Sequence, residues 1–323
     1  MISSWTRRDF LAAGALAPLG TALAQTQDAY RGIFIIMQTP FLDNPAKEID
    51  EESLVRETDF LCRCGVHGMV WPAGAGETSH LSVEERLRCP EAIVKAARKR
   101  VPVVIGVHGK TNEEAVRFTR QAEKAGADAI LALGRTDETR NLDELTGYFQ
   151  AITSASKLPF FVQVSTDAMT VDYLIGLARK LPTFRYVKEE IAPVPKRVTR
   201  YLNEARDVLT PMTGGGARNL MNEMTRGSAG TMPGAGFADI QAQIWDWFQA
   251  GKKKEARDLF GKMLMMAVLE QQTGYVLQKE ILKRRGIFKT TVMRETRNMS
   301  MDEWDLRELD AIFEALRPYF RVK

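Results

Sequence analysis

The chain has 323 residues, 45% hydrophobic and 27% charged, with a net charge of +4. That length suits one large α/β barrel or two average domains. The slight positive balance, without a basic block or aromatic–basic interleaving, argues against a nucleic-acid partner. Three cysteines, Cys62, Cys64 and Cys89, are an odd number for a disulfide framework, and no further ligands follow the Cys-x-Cys pair at zinc spacing. They are expected to be buried structural thiols.

Residues 1–24 read as an export signal. Arg7-Arg8-Asp9-Phe10-Leu11 places paired arginines before a short apolar stretch, Leu11 to Leu23, that ends in Ala22-Leu23-Ala24. Basic region, apolar region and small-x-small cleavage site stand in secretory order, and the twin arginines match a twin-arginine signal. The expectation is cleavage after Ala24, a periplasmic location, and no membrane anchor afterwards. The stretch is too short and too rich in Gly and Ala to span a bilayer stably. Removing Arg7, Arg8 and Asp9 leaves a net charge of +3.

From Gly32 onward, short apolar runs alternate with segments of helical period. Predicted strands cover Gly32 to Phe41, Met69 to Pro72, Val101 to Val107, Ala127 to Leu133, Pro159 to Val164, Phe184 to Lys188, Val208 to Met212 and Ala229 to Met232. A helical segment follows each one, starting near Asp50, Ser82, Thr111, Leu142, Val171, Val194, Arg218 and Ile240. Ser82 with Glu85 forms a capping-box signature. Eight strand–helix units predict a TIM (β/α)8 barrel over residues 25–250. No Gly-rich dinucleotide loop follows the first strand, which disfavours an open doubly wound sheet. Residues 251–323 are purely helical in pattern and are expected to pack on the barrel as an extension. Leu259, Met263, Met266 and Leu269 share a face that suits core or subunit contact.

Lys188 ends the sixth predicted strand, where barrel enzymes place functional groups. Burial disfavours an ammonium and frees the amine for attack on a carbonyl. Alternation along a strand puts Tyr186, Lys188 and Glu190 on one face. Glu190 is thus a candidate general acid or base, or the partner in a structural ion pair; Glu189 faces away as a structural acceptor. His108, ending the third strand, is a second proton-transfer candidate, or a loop imidazole bonded to backbone. Gly74 and Ala75 can offer backbone N–H groups to a carboxylate. The Gly214-Gly215 run is read as a substrate-facing loop or a permissive turn. Gln163 can orient water or a hydroxyl, and Arg135 can pair with an acidic substrate. The three histidines have no metal-ligand spacing, and neither metal nor organic cofactor is expected.

Several of these segments resemble one family: Thr39-Pro40-Phe41, the loop Ala73-Gly74-Ala75-Gly76-Glu77, Ser82-Val83-Glu84-Glu85-Arg86, and Val187-Lys188-Glu189. In order and spacing they are similar to the dihydrodipicolinate synthase / N-acetylneuraminate lyase family of class I aldolase barrels, over roughly Arg31 to Gln272. The resemblance implies a homotetrameric or homodimeric lyase whose lysine, here Lys188, condenses with pyruvate or a longer 2-oxo acid. It also exposes departures. The family's loop reads Gly-[Thr/Ser]-Thr-Gly-Glu, and its two hydroxyl positions are Gly74 and Ala75 here. The family tyrosine of the fifth strand falls at Gln163, a carboxylate-binding arginine falls near Ala168, and the usual Pro-Tyr-Tyr is replaced around Leu133-Gly134-Arg135. The standard proton relay is therefore absent. Two functions remain open: a lyase that cleaves, condenses or dehydrates through an imine, and a family member that binds a small carboxylate or carbonyl compound without turnover.

Overall fold

A computed structural model describes residues 30–134, 141–295, 297 and 299–323. The expected export signal and Arg135 lie outside the described residues. Eight parallel strands close into a barrel in chain order: β1 (Gly32–Ile36), β2 (Gly68–Trp71), β3 (Val103–Gly106), β4 (Ala129–Leu133), β5 (Phe160–Val164), β6 (Phe184–Glu189), β7 (Thr210–Thr213) and β8 (Gly230–Thr231). The helices between them are α1 (Glu51–Cys64), α2 (Val83–Ala97), α3 (Asn112–Ala125), α4 (Leu142–Ala155), α5 (Val171–Lys180), α6 (Val194–Glu204) and α7 (Leu220–Arg226), and α8 (Ala238–Gln249) follows β8. The extension comprises α9 (Lys253–Thr273), α10 (Val276–Arg284) and α11 (Glu303–Leu316).

The strands are apolar on both faces because each face meets a different core. Ile33 and Ile35 of β1 face outward into the layer under the helices, whereas Phe34 and Ile36 face the barrel interior. Both faces being covered explains the continuous apolar runs. The interior is filled low down by aromatic rings: Phe161 and Tyr186 stack at 4.3 Å, and Tyr30 lies 5.3 Å from Tyr186. This plug closes one end and leaves the carboxyl ends of the strands to form a site.

Helix starts follow their caps. Ser82 accepts from Glu85 N–H while the Glu85 carboxylate accepts from Ser82 N–H, the reciprocal pattern expected from that pair. The first strand is shorter than its apolar run suggests. Beyond Met37, whose N–H still donates to Val70 O, the chain turns to other partners: Gln38 N–H donates to Glu57 Oε1 at 2.9 Å, the Thr39 hydroxyl donates to Gly76 O at 2.6 Å, and Pro40 has no N–H to pair. Phe41 instead makes an isolated antiparallel bridge with Ile49.

In the extension, α9 packs against α8 and α11, and Leu259, Met263, Met266 and Leu269 are buried as core. Cys64 and Cys89 are buried and Cys62 half-buried, all as free thiols. Burial pushes the Cys89 thiol up to about 12, which keeps it protonated and inert. No described helix is long and apolar enough to cross a membrane.

Candidate active site

Strand register brings the central residues together. In the β5–β6 pair, Phe161 is beside Tyr186 and Gln163 is beside Lys188. Because side chains alternate, the layer above the aromatic plug is Gln163 and Lys188. Lys188 is 4% exposed, and its Nζ lies 3.3 Å from Glu190 Oε1. Gln163 Nε2 donates to Glu190 Oε2 at 2.5 Å, and Gly215 N–H donates to Oε1 at 3.2 Å. Burial pushes the Glu190 carboxyl up, but the Lys188 charge and the donors Gly215 and Gln163 outweigh it and hold the group below its usual range. Glu190 therefore rests ionised against the lysine. The same-face expectation for Tyr186, Lys188 and Glu190 holds.

Glu189 points the other way and fixes the strand end. Its carboxylate accepts from Tyr201 Oη and from Ile191 N–H, each at 2.8 Å, and is ion-paired with Arg197, whose Nε lies 2.8 Å away. This fully buried carboxylate ties the end of β6 to α6.

Lys188 opens into a cavity of about 370 Å³ at the carboxyl ends of the strands. Gly74, Ala75, Gln163, Lys188, Glu190 and Gly215 all line it, as their positions in the sequence suggested. Gly74 and Ala75 bring backbone but no hydroxyl, and a Cβ at Gly74 would meet nothing within 4 Å. Gly214 is different: a Cβ there would fall 2.1 Å from Glu190 Oε1. It is the seat on which Glu190 rests rather than a lining residue.

His108 is not in this cavity. Arg86 holds its backbone, donating from Nη1 to His108 O at 2.6 Å and from Nη2 to Gly106 O at 3.0 Å. His108 borders a neighbouring cavity of about 760 Å³ with Thr78, Ser82, Arg86 and Glu114; among the described residues only Gly74 borders both. Burial, then the positive charges of Arg86 and Lys188, lower the imidazole to about 3, so it is neutral near pH 7. A wider groove of about 970 Å³ along α2 and α3, lined by Arg88, Arg117 and Arg120 among others, includes none of the strand-end residues. Among the described residues no group of three or more His, Cys, Asp or Glu side chains is placed to hold a metal ion.

The far wall comes from segments that the sequence pattern did not connect with the site. Arg218, Glu270 and Tyr275 line the cavity with Met299. α9 ends at Gly274, whose φ of +73° turns the chain sharply before α10 and brings Tyr275 to the barrel mouth. Gln278 steadies this elbow, donating from Nε2 to Glu270 Oε1 and accepting Gly236 N–H at Oε1, both at 2.7 Å. The polar interruption Glu270-Gln-Gln-Thr-Gly-Tyr275 in a Met-rich helix was the available signal. Nothing local told where that helix would lie.

A closed eight-stranded barrel with a buried lysine and a carboxylate at the end of β6 defines a class I aldolase-type barrel. The model of the dihydrodipicolinate synthetase family matches residues 29–315, and the chain belongs to that family. It is 25% identical over 296 residues to the 4-hydroxy-tetrahydrodipicolinate synthase of Methanosphaerula palustris, covering 90% of this chain and 99% of that protein. The crystal structure of dihydrodipicolinate synthase from Rhodopseudomonas palustris superposes with a TM-score of 0.80 at 26% identity, covering 90% of this chain and 99% of that one. A prophage protein of the same family from E. coli K12, solved in complex with pyruvate, shares the fold with a TM-score of 0.81 at 21% identity, covering 89% of this chain and 99% of that one. By family the protein is a lyase-type enzyme.

Proposed function

We propose that the protein is an exported lyase in which Lys188 forms an imine with a 2-oxo acid. One observation carries this reading: a lysine 4% exposed, paired at 3.3 Å with Glu190, at the floor of a strand-end cavity. Moving one proton from Lys188 to Glu190 turns an ion pair into a neutral pair and frees the amine. The nitrogen then attacks the C2 carbonyl, forming an N–C bond as the C=O π bond breaks. Net transfer of one proton from that nitrogen to the oxygen makes a hydroxyl, which then takes the proton held on Glu190 and departs as water, restoring the carboxylate. The iminium left on Lys188 withdraws electrons from the adjacent carbon. It can therefore support carbon–carbon cleavage or condensation, or dehydration of a longer acid.

The absence of hydroxyls at Gly74 and Ala75 and of a phenol at Gln163 argues against ordinary dihydrodipicolinate synthesis. Pyruvate, the ligand of the E. coli structure, is the first compound to test. Borohydride added to the protein with pyruvate and other 2-oxo acids should trap a covalent adduct, read by intact mass, that Lys188→Ala abolishes. Adduct without turnover of any such acid would instead favour a binding protein. Export rests on the pattern of residues 1–24. Cell fractionation should find a periplasmic form beginning at Gln25, and lysines in place of Arg7 and Arg8 should retain the precursor in the cytoplasm.

A further inference from the structure

Imine formation needs a proton donor for the substrate carbonyl oxygen, and the groups around Lys188 leave few choices. Glu190 receives the Lys188 proton while Gln163 and Gly215 hold its carboxylate, and that proton is kept for the departing hydroxyl, so the attack step calls for a second acid. The Gln163 amide donates hydrogen bonds but does not cycle a proton. Gly74 and Ala75 carry no side-chain proton to give. Glu270 is tied to Gln278 at 2.7 Å and sits above Gly216, where a Cβ would come within 3.3 Å of its Oε2.

We propose that Tyr275, brought to the barrel mouth by the α9–α10 elbow, is the acid that protonates the substrate carbonyl oxygen as Lys188 attacks. This assignment rests on the imine reading above. Tyr275 lines the same cavity as Lys188, Glu190 and Gln163, and the residue is 36% exposed, so it flanks the entrance rather than the core. Burial, then the carboxylates of Glu270 and Glu190, push its phenol up, so it enters the reaction protonated. Tyr275 and Gln163 line one cavity, so the extension brings a phenol to the site where the fifth strand has none.

The proton count closes. Lys188, having passed a proton to Glu190, forms the N–C bond while the carbonyl oxygen takes the Tyr275 proton. The tetrahedral adduct then carries a hydroxyl and a positively charged nitrogen beside a phenolate. The phenolate recovers a proton from that nitrogen. The C–O bond breaks as the hydroxyl takes the proton held on Glu190, giving water and the iminium. Tyr275 ends as the phenol and Glu190 as the carboxylate, so no other reactant is consumed.

The test compares wild type, Tyr275→Phe and Lys188→Ala by rapid-quench borohydride trapping with pyruvate, alongside pyruvate affinity and thermal melts. A general acid contributes roughly 10²- to 10⁴-fold. Tyr275→Phe should melt like wild type, retain pyruvate affinity and form the adduct at least tenfold more slowly. A smaller fall in rate, or one matched by lost affinity, overturns the assignment and leaves Lys188 chemistry intact. No adduct on the wild type with any 2-oxo acid overturns the imine reading, and this role with it.

Discussion

Lys279 Nζ lies 2.5 Å from Glu77 Oε1 with both side chains excluded from solvent, joining α10 to the loop after β2. The other Glu77 oxygen accepts the N–H groups of Arg294 and Glu295, each at 2.7 Å, and Lys279 also donates to Val292 O at 2.8 Å. Burial lowers Lys279 to about 8 despite the opposing charge of Glu77. The extension therefore both supplies a cavity wall and clamps the loop that carries Gly74 and Ala75. Lys279→Met should destabilise the protein by about 3–5 kcal/mol, because it strands a buried carboxylate. Adding Glu77→Gln should recover part of that loss in urea titrations. Equal additive losses would show that the pair is not coupled.

Gly214 controls the position of Glu190. A methyl group there would fall 2.1 Å from Glu190 Oε1 and 2.6 Å from its carboxyl carbon. Gly214→Ala should push the carboxylate off Lys188 and slow adduct formation about as much as Glu190→Gln, roughly 10²-fold for the loss of one acid–base group. The accompanying stability cost should stay near about 1–3 kcal/mol, the range for local overpacking. A fully active Gly214→Ala protein would show that Glu190 works from another position.

The barrel was legible because every strand buries both faces and every helix buries one, which writes the alternation directly into the apolar pattern. Lys188 and Glu190 were legible for a related reason: positions two apart on a strand share a face. Gly214 is a case where the residue type was visible but its role was not. Its smallness answers the Glu190 side chain just beyond the end of β6, which only packing reveals. Tyr275 was hidden more deeply, since local periodicity does not say which part of a helical tail crosses the barrel mouth. His108 lies outside the Lys188 cavity for the opposite reason. It stands near a strand end as expected, but the Arg86 guanidinium holds its backbone beside the adjoining cavity.

His108 should consequently be dispensable for chemistry at Lys188. Its imidazole, lowered to about 3, does not change charge between pH 5 and 8. His108→Asn should leave the trapping rate and its pH profile within about twofold of wild type, far less than the effect of deleting an acid–base group. A tenfold fall, or a lost pH limb, would restore it to the machinery.

Glu223 provides a pH test of the fold itself. It is 2% exposed, and Thr213 Oγ1 donates to its Oε2 at 2.6 Å. Burial raises its carboxyl from 4.5 to about 7. Between those values the folded state keeps a proton that the unfolded chain has released, so stability falls as pH rises through the window. The contribution is intact below pH 4.5 and gone above about 7, a difference on the order of 3 kcal/mol at most. Glu223→Gln keeps an acceptor for Thr213 and removes the titration. It should match wild type in thermal melts at pH 4.5 and exceed it by several degrees at pH 8, because the charged carboxylate then costs stability only in the wild type. Equal melting temperatures at pH 8 would mean that Glu223 ionises in the fold as easily as in water.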